Sequence, residues 1–127
     1  MDAPIELLVN TKLFFSFFAE PISFEGTHQI QSVEDGSASF TLICKVTGNP
    51  RPKVTWNVRG TIVREDNDKY EVTSEGLVIK NITQSDKGAY KCKAIQLDEE
   101  ITDFQDMIIQ LRVQRKKKNL NFQIIDF

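Results

Sequence analysis

Residues 86–97 read Asp86-Lys87-Gly88-Ala89-Tyr90-Lys91-Cys92-Lys93-Ala94-Ile95-Gln96-Leu97, a polar turn running into a strand whose side chains alternate. Tyr90, Cys92, Ala94 and Gln96 fall on one side, the period of two expected when one face is buried. After the acidic turn Asp98-Glu99-Glu100, the run 104–114 places Met107, Ile109, Leu111 and Val113 together, so the two strands form a hairpin. Upstream the same rule groups Leu77 with Ile79, Tyr70 with Val72, Val54 with Trp56 and Val58, and Phe40 with Leu42, Cys44 and Val46. Turn signals separate the runs: Glu34-Asp35-Gly36, Gly48-Asn49-Pro50, Asn67-Asp68, Glu75-Gly76 and Ser85-Asp86-Lys87-Gly88. About seven short strands punctuated in this way predict an all-β antiparallel sandwich. No run shows a 3.6-residue period, and the one helical suggestion is a single turn around Gln84 to Lys87.

The chain has 127 residues, enough for one domain with its own core. Hydrophobic residues at 40%, charged residues at 27% and a net charge of −2 describe a globule rather than a disordered chain. Its 16 basic and 18 acidic side chains nearly cancel, so nothing long-ranged attracts nucleic acid. With 2 cysteines and 1 histidine the sequence lacks the four ligands of a structural zinc site, and it carries no nucleophile elbow or phosphate-cradling glycine loop. No catalytic residue, metal or cofactor is therefore expected. Cys44 and Cys92 stand too far apart for a CxxC redox motif, which leaves two reduced thiols or a single disulfide. A disulfide there would remove roughly 4 kcal/mol of unfolded-state freedom on the loop-entropy estimate.

The patterned part runs over residues 21–114. Residues 1–20 read as a non-domain segment, either a poor signal peptide, with Asp2 and Glu6 where positive charge belongs, or a gene-model artefact. Residues 115–127 read as a basic tail. No segment reaches the roughly 18 apolar residues of a membrane span, so membrane attachment is expected only through segments absent from this chain.

Taken together, Cys44, Trp56 twelve residues later, Leu77-Val78-Ile79 and Asp86-Lys87-Gly88-Ala89-Tyr90-Lys91-Cys92 resemble the framework of the immunoglobulin superfamily. The resemblance implies a two-sheet sandwich with Greek-key connections and a Cys44–Cys92 disulfide joining the sheets. It further implies that Trp56 packs on the disulfide and that the Tyr90 hydroxyl closes a corner by bonding back to the backbone. Gly48-Asn49-Pro50-Arg51-Pro52 before Val54-Thr55-Trp56 is similar to the intermediate set (I-set), in which Asp86 would pair with a basic residue, here Lys69. Trp56, Leu77, Asp86 and Tyr90 are the implied core framework. The long final hairpin resembles the second domain of neural cell adhesion molecule and fasciclin II type proteins.

That resemblance implies an extracellular module of a cell-adhesion or neuronal recognition protein. Its partner would be another protein, either a copy of itself or another adhesion molecule of the superfamily. The alternative is a structural I-set domain of an intracellular muscle filament, in the cytoplasmic sarcomere. Asn81-Ile82-Thr83 is an N-glycosylation sequon, although alternation from Leu77 and Ile79 would turn Asn81 inward unless the strand ends there. The outward side of the hairpin carries Ile95, Leu97 and Ile108, which, if they abut, would anchor a partner. Arg115-Lys116-Lys117-Lys118 is a basic run that by resemblance would meet heparan sulfate. The acidic residues Glu99, Glu100, Asp103 and Asp106 lack the alternating ligands and glycine of a calcium loop.

Overall fold

The computed structural model describes residues 19–65, 67–97 and 102–116. Within them lie β1 (Glu20–Ser23), β2 (Ile30–Glu34), β3 (Ser39–Ile43), β4 (Thr47–Asn49), β5 (Lys53–Val58), β6 (Thr61–Ile62), β7 (Tyr70–Val72), β8 (Gly76–Lys80), β9 (Gly88–Leu97) and β10 (Thr102–Gln114). A 3-10 turn at Gln84–Asp86 precedes β9, where the sequence suggested a single helical turn. A five-stranded sheet in the order β2-β10-β9-β5-β6 faces a three-stranded sheet in the order β3-β8-β7, and β1 pairs with β4 at the side.

The period-two faces meet in the core. Leu42, Trp56, Leu77, Ile79, Cys92 and Ile109 are fully buried, joined by Cys44, Ile82, Tyr90 and Leu111. Val46, Val54, Val58, Met107 and Val113 pack around this cluster half-buried, because they lie toward the rim of the sandwich. Val72, expected inside with Tyr70, is 39% exposed because β7 is a three-residue strand at the sheet margin.

Three features depart from the sequence reading. Not every pair is antiparallel: β2 runs parallel to β10, with Ile30 beside Gln110 and Glu34 beside Gln114. The chain reaches that position by leaving the β1–β4 pair after Ser23 and turning through Gly26, whose φ is 67°. Gly48 and Asn49, read as turn residues, belong to β4, and a Cβ on Gly48 would come within 2.9 Å of the Gln96 side chain and 3.3 Å of the Pro21 carbonyl. Gly76, also read as a turn residue, opens β8 opposite Ile43, and a Cβ there would lie 1.9 Å from the Leu42 carbonyl oxygen. Both glycines mark close backbone approach rather than a reversal.

Candidate protein-binding surface

The surface is carried by β9 and β10, and the core beneath it fixes their position. Cys44 of the three-stranded side and Cys92 of β9 form a disulfide. Trp56 stands opposite Cys92 in register and shares its core cluster, with the indole N–H lacking a hydrogen-bond partner among the described residues. The Tyr90 hydroxyl donates to the Asp86 carbonyl at 2.6 Å, locking the turn that feeds β9. Burial, then the neighbouring Tyr70 phenol and Asp86 carboxylate, push the Tyr90 phenol well above its ordinary value of 10.0. Lys69 Nζ lies 2.9 Å from Asp86 Oδ2, and the same oxygen accepts the Thr83 N–H at 2.8 Å. Arg59 adds a guanidinium donation to the Ser85 carbonyl beside that turn.

Gln96, assigned only an inward orientation by its alternation, ties the far end of β9 down. Its Nε2 donates to the carbonyls of Glu20 and Pro50, each at 2.8 Å, next to the cis Asn49–Pro50 peptide. A buried amide at the end of an alternating apolar row is the sequence signal for such a clamp, because it must find partners.

Outward of this frame the five-stranded sheet presents rows of side chains set by register. Lys53, Ile95 and Phe104 form one row, Thr55, Lys93 and Asp106 the next, and Ile62, Asn57, Lys91 and Ile108 a third. Leu97 is 63% exposed, Phe104 61% and Ile108 50%, while Ile95 is half-buried. The three anchors expected from sequence therefore do not abut as one patch. Ile95 and Leu97 cluster with Phe104 at the end of the hairpin, whereas Ile108 faces Lys91, four residues and about 13 Å farther along β9. The Lys93–Asp106 row separates them, with Lys93 Nζ 6.0 Å from the centre of the Phe104 ring. Ile108 instead borders a shallow depression of about 190 Å³, lined also by Asn57, Arg59, Gly60, Ala89 and Lys91. Phe104 was missed; continuing the alternation upward from Ile108 through Asp106 leads directly to it.

Asn81 lies just past the end of β8 with φ 51° and is exposed, so the strand ends where alternation would have turned the residue inward. Its neighbour Ile82 takes the buried position at 1% exposure. Arg115 and Lys116 are exposed beyond β10, and Lys117 and Lys118 lie outside the described residues. Of the acidic residues weighed for calcium, Glu99 and Glu100 are also outside, and Asp103 and Asp106 point to opposite sides of β10 because they are three apart.

The sheet order, the disulfide and the tyrosine corner now stand beside a direct comparison: the family model of the immunoglobulin I-set domain matches residues 22–103. The chain belongs to the immunoglobulin I-set family. This I-set domain is 32% identical over 92 residues to protein turtle homolog B of Rattus norvegicus, covering 72% of this chain and 7% of that protein. It is 44% identical over 57 residues to fasciclin-2 of Schistocerca americana, covering 45% of this chain and 6% of the other. A sidekick homolog of Caenorhabditis elegans is 37% identical over 62 residues, 49% of this chain and 3% of that protein. The I-set domain thus spans only a small fraction of each of these relatives. Among solved structures, sidekick-1 immunoglobulin domains 1–5 match with a TM-score of 0.62 at 24% identity, over 77% of this chain and 20% of that one. Titin domain M7 matches at 0.60 and 21% identity, over 76% and 97%. Both show the shared fold. The insect immune protein hemolin, whose domain arrangement bears on homophilic adhesion, matches at 0.59 and 29% identity, over 76% and 23%.

Proposed function

We propose that this I-set domain is a recognition module of a larger extracellular adhesion or receptor protein, one that binds another protein and carries out no chemistry. The observation carrying the proposal is the apolar cluster of Phe104, Leu97 and Ile95 at the hairpin end, rimmed by Lys53 and Lys93 on the same sheet face. An aromatic anchor among aliphatics, with charges at the margin, is the composition of a protein-binding centre. Similarity to fasciclin-2 and to hemolin supports adhesion as the setting. The disulfide and the exposed Asn81 sequon suit an oxidising, glycosylating compartment. The exposed Arg115 and Lys116 would contribute to heparan sulfate binding, read as salt-sensitive retention on heparin.

The test compares beads or cells displaying the domain with and without Phe104→Asp combined with Leu97→Asp. The expected result is an unchanged thermal transition with loss of partner capture, and capture that survives the double substitution overturns the reading. Setting is tested separately, by non-reducing mass spectrometry after secretion. A bonded cysteine pair and added hexose on Asn81 support the extracellular assignment. Free thiols and a bare sequon would favour an intracellular filament domain of the titin kind, with which this chain shares its fold.

A further inference from the structure

β10 is 13 residues long, but β2 lies along its outer edge only from Gln110 onward. From Thr102 to Ile109 it pairs with β9 alone among the described residues. The Gln110 N–H donates to Gln29 across that outer edge at 2.7 Å, and the Gln114 carbonyl accepts there from Asp35 at 2.7 Å, so even-numbered residues turn their backbone groups outward. Pairing with β9 runs from Thr102 opposite Leu97 to Leu111 opposite Gly88 without a bulge, which carries this parity to the top of the strand. Thr102, Phe104, Asp106 and Ile108 therefore each aim an N–H and a C=O away from β9, on a side where no strand pairs with them among the described residues. Among the described residues the other margins are shorter or partly engaged: β6 has 2 residues, β7 has 3 and β2 has 5, and side chains engage the end of the β3 edge. There Gln31 bonds both backbone groups of Ile43 at 2.8 Å, and Thr27 Oγ1 accepts the Lys45 N–H at 3.0 Å. An edge of this length, unpaired among the described residues, is a template for another strand.

We propose that a second copy of this chain occupies it, β10 against β10, antiparallel about a two-fold axis at Gln105. That axis sets Phe104 opposite the other copy's Asp106 and Thr102 opposite the other copy's Ile108, and satisfies every outward backbone group of the four residues at once. It also keeps carboxylates apart, since Asp106 meets Phe104 and Asp103 meets Met107, with Lys93 behind Asp106 on β9. Shifted axes do worse. Centring on Asp106 sets that carboxylate against itself and Thr102 against Gln110, whose edge β2 already holds. Centring on Phe104 pushes Ile108 beyond the end of the other copy's β10. The paired segment is as long as the gap, so β2 stays in place. The contact is made by backbone along the edge; Phe104 borders both it and the outward face, so Asp106→Pro, which leaves Phe104 and Leu97 in place, separates this dimer from the partner proposed for that face.

The experiment uses the 127-residue chain. Gln105 is exposed, and on the axis two copies form a non-hydrogen-bonded pair with Cα atoms about 4.5 Å apart, within disulfide reach. Sedimentation should show a dimer, and Gln105→Cys should form a covalent dimer on mild oxidation while Glu71→Cys, on β7, does not. Asp106→Pro deletes an edge N–H without removing a bond to β9, so it should abolish both the dimer and the cross-link, and Asp106→Asn should keep them. A monomer at all concentrations, equal cross-linking at the two cysteine positions, or a dimer that survives Asp106→Pro overturns the proposal. If Asp106→Pro loses the fold by circular dichroism, the cysteine comparison decides it.

Discussion

Asp86 is where the turn before β9 is held together. Its Oδ2 takes Lys69 Nζ at 2.9 Å and the Thr83 N–H at 2.8 Å, and its carbonyl takes the Tyr90 hydroxyl at 2.6 Å. The carboxylate side chain is 6% exposed and the lysine 34%, so the pair is mostly withdrawn from water. Asp86→Ala leaves the Thr83 amide without its acceptor and Lys69 without its counter-charge, its Nζ keeping only the bond to the Asn81 carbonyl, and is expected to cost about 3 kcal/mol, read as a lower urea midpoint at unchanged slope. Tyr90→Phe loses one hydrogen bond, about 1 kcal/mol at neutral pH. It should also change the alkaline limb. The Tyr90 pKa is raised in the folded state, so its contribution is full below the ordinary tyrosine value of 10.0 and declines as pH rises above it, because the unfolded chain releases the proton first. Urea midpoints of the wild type should therefore fall more steeply above that pH than those of Tyr90→Phe. Tyr90, Asp86 and Lys69 were legible because their spacing resembles a family framework. That the Trp56 indole N–H has no partner among the described residues was not, since whether a buried donor finds an acceptor depends on neighbours far along the chain.

Alternation marked β3, β5 and β7 to β10 but neither β2 nor, outside the final hairpin, any strand's partner. In Ile30-Gln31-Ser32-Val33-Glu34 the two apolar residues stand three apart, on opposite faces, and only Val33 is buried. The backbone ladder holds β2 beside β10, and a side-chain clasp ties it across to β3: Gln31 Oε1 accepts the Ile43 N–H and its Nε2 donates to the Ile43 carbonyl, both at 2.8 Å. The amide acts as a substitute strand neighbour between the two sheets. Gln31→Leu should expose the Ile43 amide to faster hydrogen exchange and cost about 1–2 kcal/mol, with little change at Trp56 in the centre of β5. β4 escaped the sequence reading for a related reason. Gly48 and Asn49 carry strong turn chemistry, and the close packing against Gln96 that selects glycine there is visible only once β1 and β9 are brought together.

At the scale of the molecule, the spacing of the cysteines left both redox states open, and the fold decides between them by bringing Cys44 and Cys92 into a bond across a separation of 48 residues. Replacing both with alanine should lower the unfolding free energy by about 4 kcal/mol on loop entropy alone, measured by urea titration of the oxidised wild type against the variant. The binding surface was only half legible. Register, which alternation leaves free, determines that Phe104 joins Ile95 and that Ile108 does not. The parallel pair of β2 and β10 bears on how such a domain would carry load. β2 lies near the entry of the chain and β10 at its exit, and the two point the same way. Tension applied through the two ends would drag the strands past each other lengthwise, loading the bonds between Ile30–Glu34 and Gln110–Gln114 together instead of peeling them one at a time. A domain pulled through both ends would then resist being drawn open for as long as that short clasp holds.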